Sequence, residues 1–159
     1  PCECLCDCTN GIQDGLEEYI DCGGPNCEPC ASTISWYNAG VQYFGDATAS
    51  AELVGGNLQI TGISLTGAQV GFVVAEPADG WYNGYVIALN PTSLPQAAAY
   101  TSTAGMNYTT LFGGNTTVQI TYIDAESGGY VVGSFNGSVM EASGSATTLS
   151  QGSFQLSIN

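Results

Sequence analysis

The chain has 159 residues, 14 of them acidic and none basic, for a formal net charge of −14. With no side chain able to neutralise a phosphate or an anionic lipid surface, nucleic acid and acidic membranes are excluded as partners. The absence of His, Lys and Arg also removes the imidazole base, the Schiff-base amine, the Ser-His-Asp and Cys-His pairs and any cationic oxyanion clamp. Only carboxylate chemistry or a bound metal remains, and the protein reads as a non-enzyme.

The length fits one domain with a small appendage. A hydrophobic content of 44% separates the chain from the acidic sequences that stay disordered. The chain begins with Pro rather than Met and has no apolar run near the ~20 residues of a membrane span. It therefore reads as a processed product, secreted or at the cell surface, with no membrane span.

Residues 1–30 contain all seven cysteines and seven of the 14 acidic residues, which places a boundary near Cys30 between an arm (1–30) and a domain (31–159). Cys2, Cys4, Cys6 and Cys8 alternate, so an extended strand projects all four from one face and Glu3, Leu5 and Asp7 from the other. They cannot readily pair with one another, and only Cys22, Cys27 and Cys30 lie elsewhere. At least one thiol is left for a bridge to another chain, or free. The arm is read as disulfide-stapled, because so short a secreted segment cannot order itself by burial.

Metal readings of the arm compete with disulfides. The Cys22, Cys27, Cys30 spacing matches three plant-type iron–sulfur ligands, but the fourth is missing. A zinc site could use Cys27, Cys30 and an upstream pair. Asn10, Asp14 and Glu17, with Gly11 and the Ile12 carbonyl, are spaced like part of a calcium loop, but Cys6 and Cys8 fall where its first ligands belong. Asp7, Glu18 or Asp21 could complete such a Ca2+ site. The competing account is an Asx turn leading into a helical turn or two over 14–21. No cofactor is required.

Beyond Cys30 the pattern has period two. Strands are expected near 41–44, 48–54, 57–63, 69–75, 81–89, 97–103, 106–112, 116–123, 130–140 and 152–158. Leu58 and Ile60 share one face, as do Val118, Ile120 and Tyr122, and then Phe154, Leu156 and Ile158. Turns are expected at Gly113-Gly114-Asn115 and Ser127-Gly128-Gly129. The expected fold is all-β, an antiparallel sandwich of about nine or ten strands, with a closed barrel as the alternative. Outward positions are Thr, Ser, Asn and Gln rather than Lys, the usual guard against edge pairing.

The stretch CTNGIQDGLEEYIDCGGPNCEPC, residues 8–30, resembles a short module that recurs in secreted and surface proteins of Bacteroidota, of the form C-x-N/D-G-I-Q-x-G-x-E-x-x-I-D-C-G-G-x-C-x-x-C. The closing stretch GSFNGSVMEASGSATTLSQGSFQLSIN, together with GMNYTT and VQITYIDAESGGYVVGSF, is similar to a β-sandwich family of the same surface proteins and lipoproteins. The resemblance implies export, a cysteine-rich appendage and a sandwich, and it carries over no catalytic residue. Cys2, Cys4 and Cys6, and the lack of basic residues, depart from that pattern.

Two functions follow as expectations. The first is an extracellular structural protein, a self-assembling filament or surface-layer subunit whose partners are copies of itself, joined through the arm. Without Lys or Arg it offers trypsin-like proteases no site. The second is a carbohydrate-binding or adhesion module using Trp81, Tyr82 and Tyr85, with Trp36, Tyr37 and Tyr43 as further aromatics. Aromatics at alternating strand positions also serve as core and rim. Glu76 and Asp79 flank a turn and are a weak glycosidase pair. Asn107, Asn115 and Asn136 match the N-glycosylation triplet.

Overall fold

A computed structural model of the chain describes residues 32–45 and 48–159. The arm, with its disulfide, calcium, zinc and helical-turn expectations, lies outside the described residues. The strands are β1 (Thr33–Asn38), β2 (Val41–Phe44), β3 (Ser50–Val54), β4 (Asn57–Ile63), β5 (Gln69–Ala75), β6 (Tyr85–Leu89), β7 (Ala97–Thr101), β8 (Asn107–Ile123), β9 (Tyr130–Met140) and β10 (Ala146–Ser157). The hydrogen-bonded path runs β2-β1-β10-β9-β8-β7-β5-β4-β3, with β6 attached to β8. Every strand pairing is antiparallel. The sheet curls into a half-barrel, and its two arms pack against each other much as the faces of a sandwich do.

Strand β8 is what allows one sheet to form both walls. Its beginning pairs with β7 through Thr109 and Ala99, while its later part pairs with β6 through Val118 and Ile87. Between them the register against β9 shifts. Gly113 and Gly114 have φ of +144° and +89° at this point, a conformation that only glycine adopts without strain. A Cβ on Gly114 would also strike the Ser138 carbonyl. The two glycines therefore bend a continuous strand, as a bulge does, and the turn expected at Gly113-Gly114-Asn115 is not formed.

Alternation fills the interior. Leu58 and Ile60, Val118 and Ile120, and Phe154, Leu156 and Ile158 are all buried. Tyr122 departs from its expected row because the ladder slips between Ile120 and Tyr122, leaving it half-buried. Phe72 of β5 meets Phe135 of β9 with ring centroids 4.5 Å apart, although three steps of the path separate those strands. That contact joins the two walls.

Two identical tripeptides support it. Gly133-Ser134-Phe135 on β9 pairs antiparallel with Gly152-Ser153-Phe154 on β10, so that Phe154 lies opposite Gly133 and Phe135 opposite Gly152. Each ring occupies the space a Cβ on the facing glycine would need. The glycines thus make room for the aromatic layer of the core, and the Phe135 and Phe154 rings stack at 6.4 Å.

Strand β1 was absent from the expected elements, yet it is central to the inner layer. Ile34 and Trp36 are buried, and Asn38 is 9% exposed. The Asn38 amide nitrogen donates to Thr147 Oγ1 (2.6 Å) and to the Thr148 carbonyl (3.0 Å), while its oxygen accepts from the Tyr100 hydroxyl (3.2 Å). One side chain thereby ties β1, β10 and β7 together across the core. The Trp36 ring stacks on Tyr43 at 5.6 Å.

Burial pushes the Tyr100 phenol up to about 12, with Tyr43 and Tyr108 nearby adding to the effect. A raised pKa means that the folded protein holds this proton more tightly than the unfolded chain. Stability is therefore full below pH ~10 and falls as pH rises from there toward 12. Tyr100→Phe should flatten that alkaline decline in pH-dependent denaturant melts; an unchanged slope would place the titration elsewhere. Gly152→Ala should cost about 1–3 kcal/mol by overpacking against Phe135, read as a lower urea midpoint with unchanged slope. Asn38→Ala should cost a similar ~1–3 kcal/mol by removing partners from buried Tyr100 and half-buried Thr147.

Candidate functional site

The sequence candidates of the described domain fall into three places. Trp81, Tyr82 and Tyr85 come together at the start of β6. Trp81 and Tyr85 meet edge to face at 6.1 Å, and Tyr82 and Tyr85 tilt together at 5.4 Å. Trp81 and Tyr85 also pack on the core, while Tyr82 is 44% exposed. Burial, then Tyr82 and Asp79, raises the Tyr85 phenol above its ordinary value. Trp36, by contrast, is fully buried and presents no ring to a ligand.

Trp81 forms one wall of an open cleft of about 490 Å3. Leu53 and Gly56, from β3 and the turn after it, form another wall, and Glu76, Asp124 and Glu126 bring three carboxylates to the rim. The turn residues explain this gathering. Glu76 directly follows β5, Asp124 directly follows β8, and both strands end beside the β3–β4 turn. Sequence reading singled out Trp81 and Glu76 but not Asp124 or Glu126, whose approach depends on how the sheet curls. Among the described residues, no group of three or more His, Cys, Asp or Glu side chains is arranged to hold a metal.

The second feature is the separation of charge from the sheet faces. Of the acidic residues described, Glu52 lies on β3, while Glu76, Asp79, Asp124, Glu126 and Glu141 all lie outside the strands. One outward row runs across five strands as Ser35, Ser153, Ser134, Gln119 and Val86. On the opposite wall another runs as Ser50, Thr61, Gly71, Ala99 and Thr109. Neighbouring hydroxyls pair within these rows, Ser35 with Ser153 at 3.2 Å and Ser50 with Thr61 at 2.9 Å. These rows carry no charge, and on the second wall Thr61, Gly71 and Ala99 line an open groove of about 300 Å3.

The third feature is the sheet edges. β2 ends the path on one side and β3 on the other. The outer side of β3 is partly covered, because Ala51 bridges Ile158 and its carbonyl accepts from the Asn159 amide at 3.0 Å. Among the described strands β2 pairs with β1 alone, and it carries Val41 and Phe44 at 52% and 55% exposure. The three sequon residues Asn107, Asn115 and Asn136 are exposed but sit within β8 and β9 rather than in loops.

No known protein family, curated protein or solved structure matches the chain. Among the described residues no helix is long and apolar enough to cross a membrane.

If the Trp81 cleft takes a ligand that stacks on the indole, Trp81 fluorescence should respond to it while the buried Trp36 stays silent. Titration of the Trp81→Phe protein then separates the two signals, and an unchanged response in that variant would move the ligand elsewhere.

Proposed function

We propose that this chain is an extracellular structural subunit that assembles with copies of itself into a filament or surface layer, its arm of seven cysteines linking neighbours. The observation that carries the reading is the combination of a net charge of −14 with sheet walls on whose strands Glu52 is the single acid among the described residues. Copies repel one another at long range, so any contact between them must use surfaces free of carboxylate. The domain keeps such surfaces by confining nearly all its described acids to turns. The odd number of cysteines supports a covalent link between chains, and the resemblance of the arm to modules of exported surface proteins supports the location.

The test is the size of the native secreted material on reducing and non-reducing gels, paired with negative-stain microscopy. Ladders that collapse on reduction, together with filaments or sheets in the images, are expected. A clean monomer under oxidising conditions, with no polymer, would overturn the reading. Assembly should also strengthen as salt rises from about 0.01 to 0.15 M, because the Debye length falls from about 30 to 8 Å and screens the repulsion. Light scattering that falls with added salt would contradict a contact between like-charged copies.

A second reading rests on one specific observation, the Trp81 wall of the rim-acidic cleft. An aromatic face beside hydrogen-bond acceptors is suited to the apolar face and hydroxyls of a sugar. In this reading the domain is a glycan-binding or adhesion module, with Tyr82 extending the platform. A glycan array probed with the wild-type and Trp81→Ala proteins tests it: binding that survives the substitution would remove the cleft from consideration.

A further inference from the structure

The β2 edge is built differently from the rest of the molecule. Strands β1 and β2 join through the two-residue turn Ala39-Gly40, both at positive φ of 49° and 79°, as a tight hairpin requires. Asn38 faces Val41, and Trp36 faces Tyr43. The Gly45 amide donates to the Ile34 carbonyl at 2.8 Å, which fixes the phase of the ladder. By alternation, Val41 and Tyr43 spend their backbone groups on β1, while the amides and carbonyls of Gln42 and Phe44 point away from the sheet.

Beside that open edge lies a groove of about 190 Å3 between Val41–Phe44 and the turn formed by Ser64, Leu65 and Thr66. Leu65 is 97% exposed, more than any other large apolar side chain described. None of the groove residues is charged. The β2 strand also lacks the usual protections of an edge, since it has no Pro, no charged side chain and no bulge. The other two edges differ: β3 carries Glu52 and is partly capped by Asn159, and β6 begins at Tyr85, which feels the Asp79 carboxylate.

We propose that the β2 edge pairs with the β2 edge of a second copy, antiparallel about a two-fold axis through Tyr43. The occupant follows from charge and from register. A second copy also carries −14, and β2 itself, Val41–Phe44, brings no carboxylate to the contact. The outward groups belong to Gln42 and Phe44, so an antiparallel partner must place a hydrogen-bonding residue opposite each of them. The strand meets that demand with itself: Gln42 faces Phe44 of the second copy, Phe44 faces its Gln42, and the two Tyr43 rings meet at the close, non-hydrogen-bonded position. The pairing makes four backbone hydrogen bonds, and by alternation it sets Phe44 beside Gln42 of the second copy on one face of the joined sheet and the two Tyr43 side chains on the other.

This inference rests on the self-assembly reading and gives it a geometry. An isologous contact closes at the dimer, so a filament needs a second, different contact. The edge pairing is the noncovalent joint and the cysteine arm the covalent one, and their alternation builds the polymer.

Sedimentation equilibrium of the full chain in reducing buffer isolates the edge from any disulfide. Wild type should show a concentration-dependent monomer–dimer equilibrium. Phe44→Glu, which sets a carboxylate beside Gln42 of the other copy, and Gln42→Pro, which deletes an outward amide and is tolerated at an edge, should each weaken the dimer about tenfold or more. Unchanged thermal melts show that both variants fold. A wild type that stays monomeric throughout, or a dimer indifferent to both substitutions, overturns the proposal.

The occupant is read by replacing Phe44 with photoreactive p-benzoylphenylalanine and mapping the captured peptide after cleavage at glutamate. Capture of the peptide containing Gln42 supports the two-fold pairing. Capture of residues 2–8, or of any other segment, overturns it. The two readings fail separately: filaments that persist unaltered in Phe44→Glu overturn the edge contact alone, whereas a reduced dimer without filaments in oxidised wild type overturns the polymer alone.

Discussion

The molecule must cohere without a side-chain cation. Its 14 carboxylates face no Lys, Arg or His, so no side-chain ion pair can form, and mutual repulsion among the acids opposes compaction. Everything that holds the described domain together is uncharged: ladder hydrogen bonds, an apolar interior, and a few buried polar links such as the one centred on Asn38. The cost of repulsion is kept low by placement. Apart from Glu52 on β3, the described carboxylates sit outside the strands, where water screens them, and the two transverse rows are left to Ser, Thr, Gln and small apolar residues. Surface ion pairs contribute little to most proteins, so the loss is modest.

That constraint raises the importance of packing, and packing here depends on glycine. At Gly133 and Gly152 the missing side chains admit Phe154 and Phe135, and the resulting aromatic layer reaches Phe72 on the far wall. At Gly113 and Gly114 glycine performs a different task, turning β8 from one wall toward the other. At Gly133, Gly152 and Gly114 the substitution of any larger residue is opposed by backbone or ring atoms already in contact, and at Gly113 by its positive φ. The half-barrel is therefore set by where side chains are absent as much as by where apolar ones are present.

These features differ in how legible they were. Period-two alternation located most strands, and β4 and β5 match their expected bounds, because each buries one face and lies between turns rich in Gly, Ser and Thr. Strand β1 was missed. Its inward residues are Ile34, Trp36 and Asn38, and a polar Asn in the third inward position breaks the apolar row that marks a strand; its burial is intelligible only once Tyr100 and Thr147 are seen beside it. The twin Gly-Ser-Phe tripeptides were present in the sequence as a signal, but their meaning depends on antiparallel register between β9 and β10, which local pattern does not supply. The same holds for the Gly-Gly pair, since a turn and a bulge share the same residues and differ in whether the chain reverses.

The candidate surfaces divide along the same line. Aromatic spacing was enough to bring Trp81, Tyr82 and Tyr85 to attention, since they lie close in the chain. The acids around Trp81 and the groove at Leu65 are products of tertiary folding: each joins a strand end or edge to a turn distant in sequence. The two surfaces also ask for different ligands. The Trp81 cleft concentrates carboxylates, which disfavours another copy of this chain there, and its indole wall would suit the neutral, hydroxyl-rich ligand of the second proposed reading. Among the described residues the β2 edge carries no carboxylate and its outer side has no strand partner, which disfavours a small polar ligand and favours a strand. On the two proposed readings together, one domain would present one surface to its own kind and another to its surroundings, and the segregation of charge would keep the two from competing.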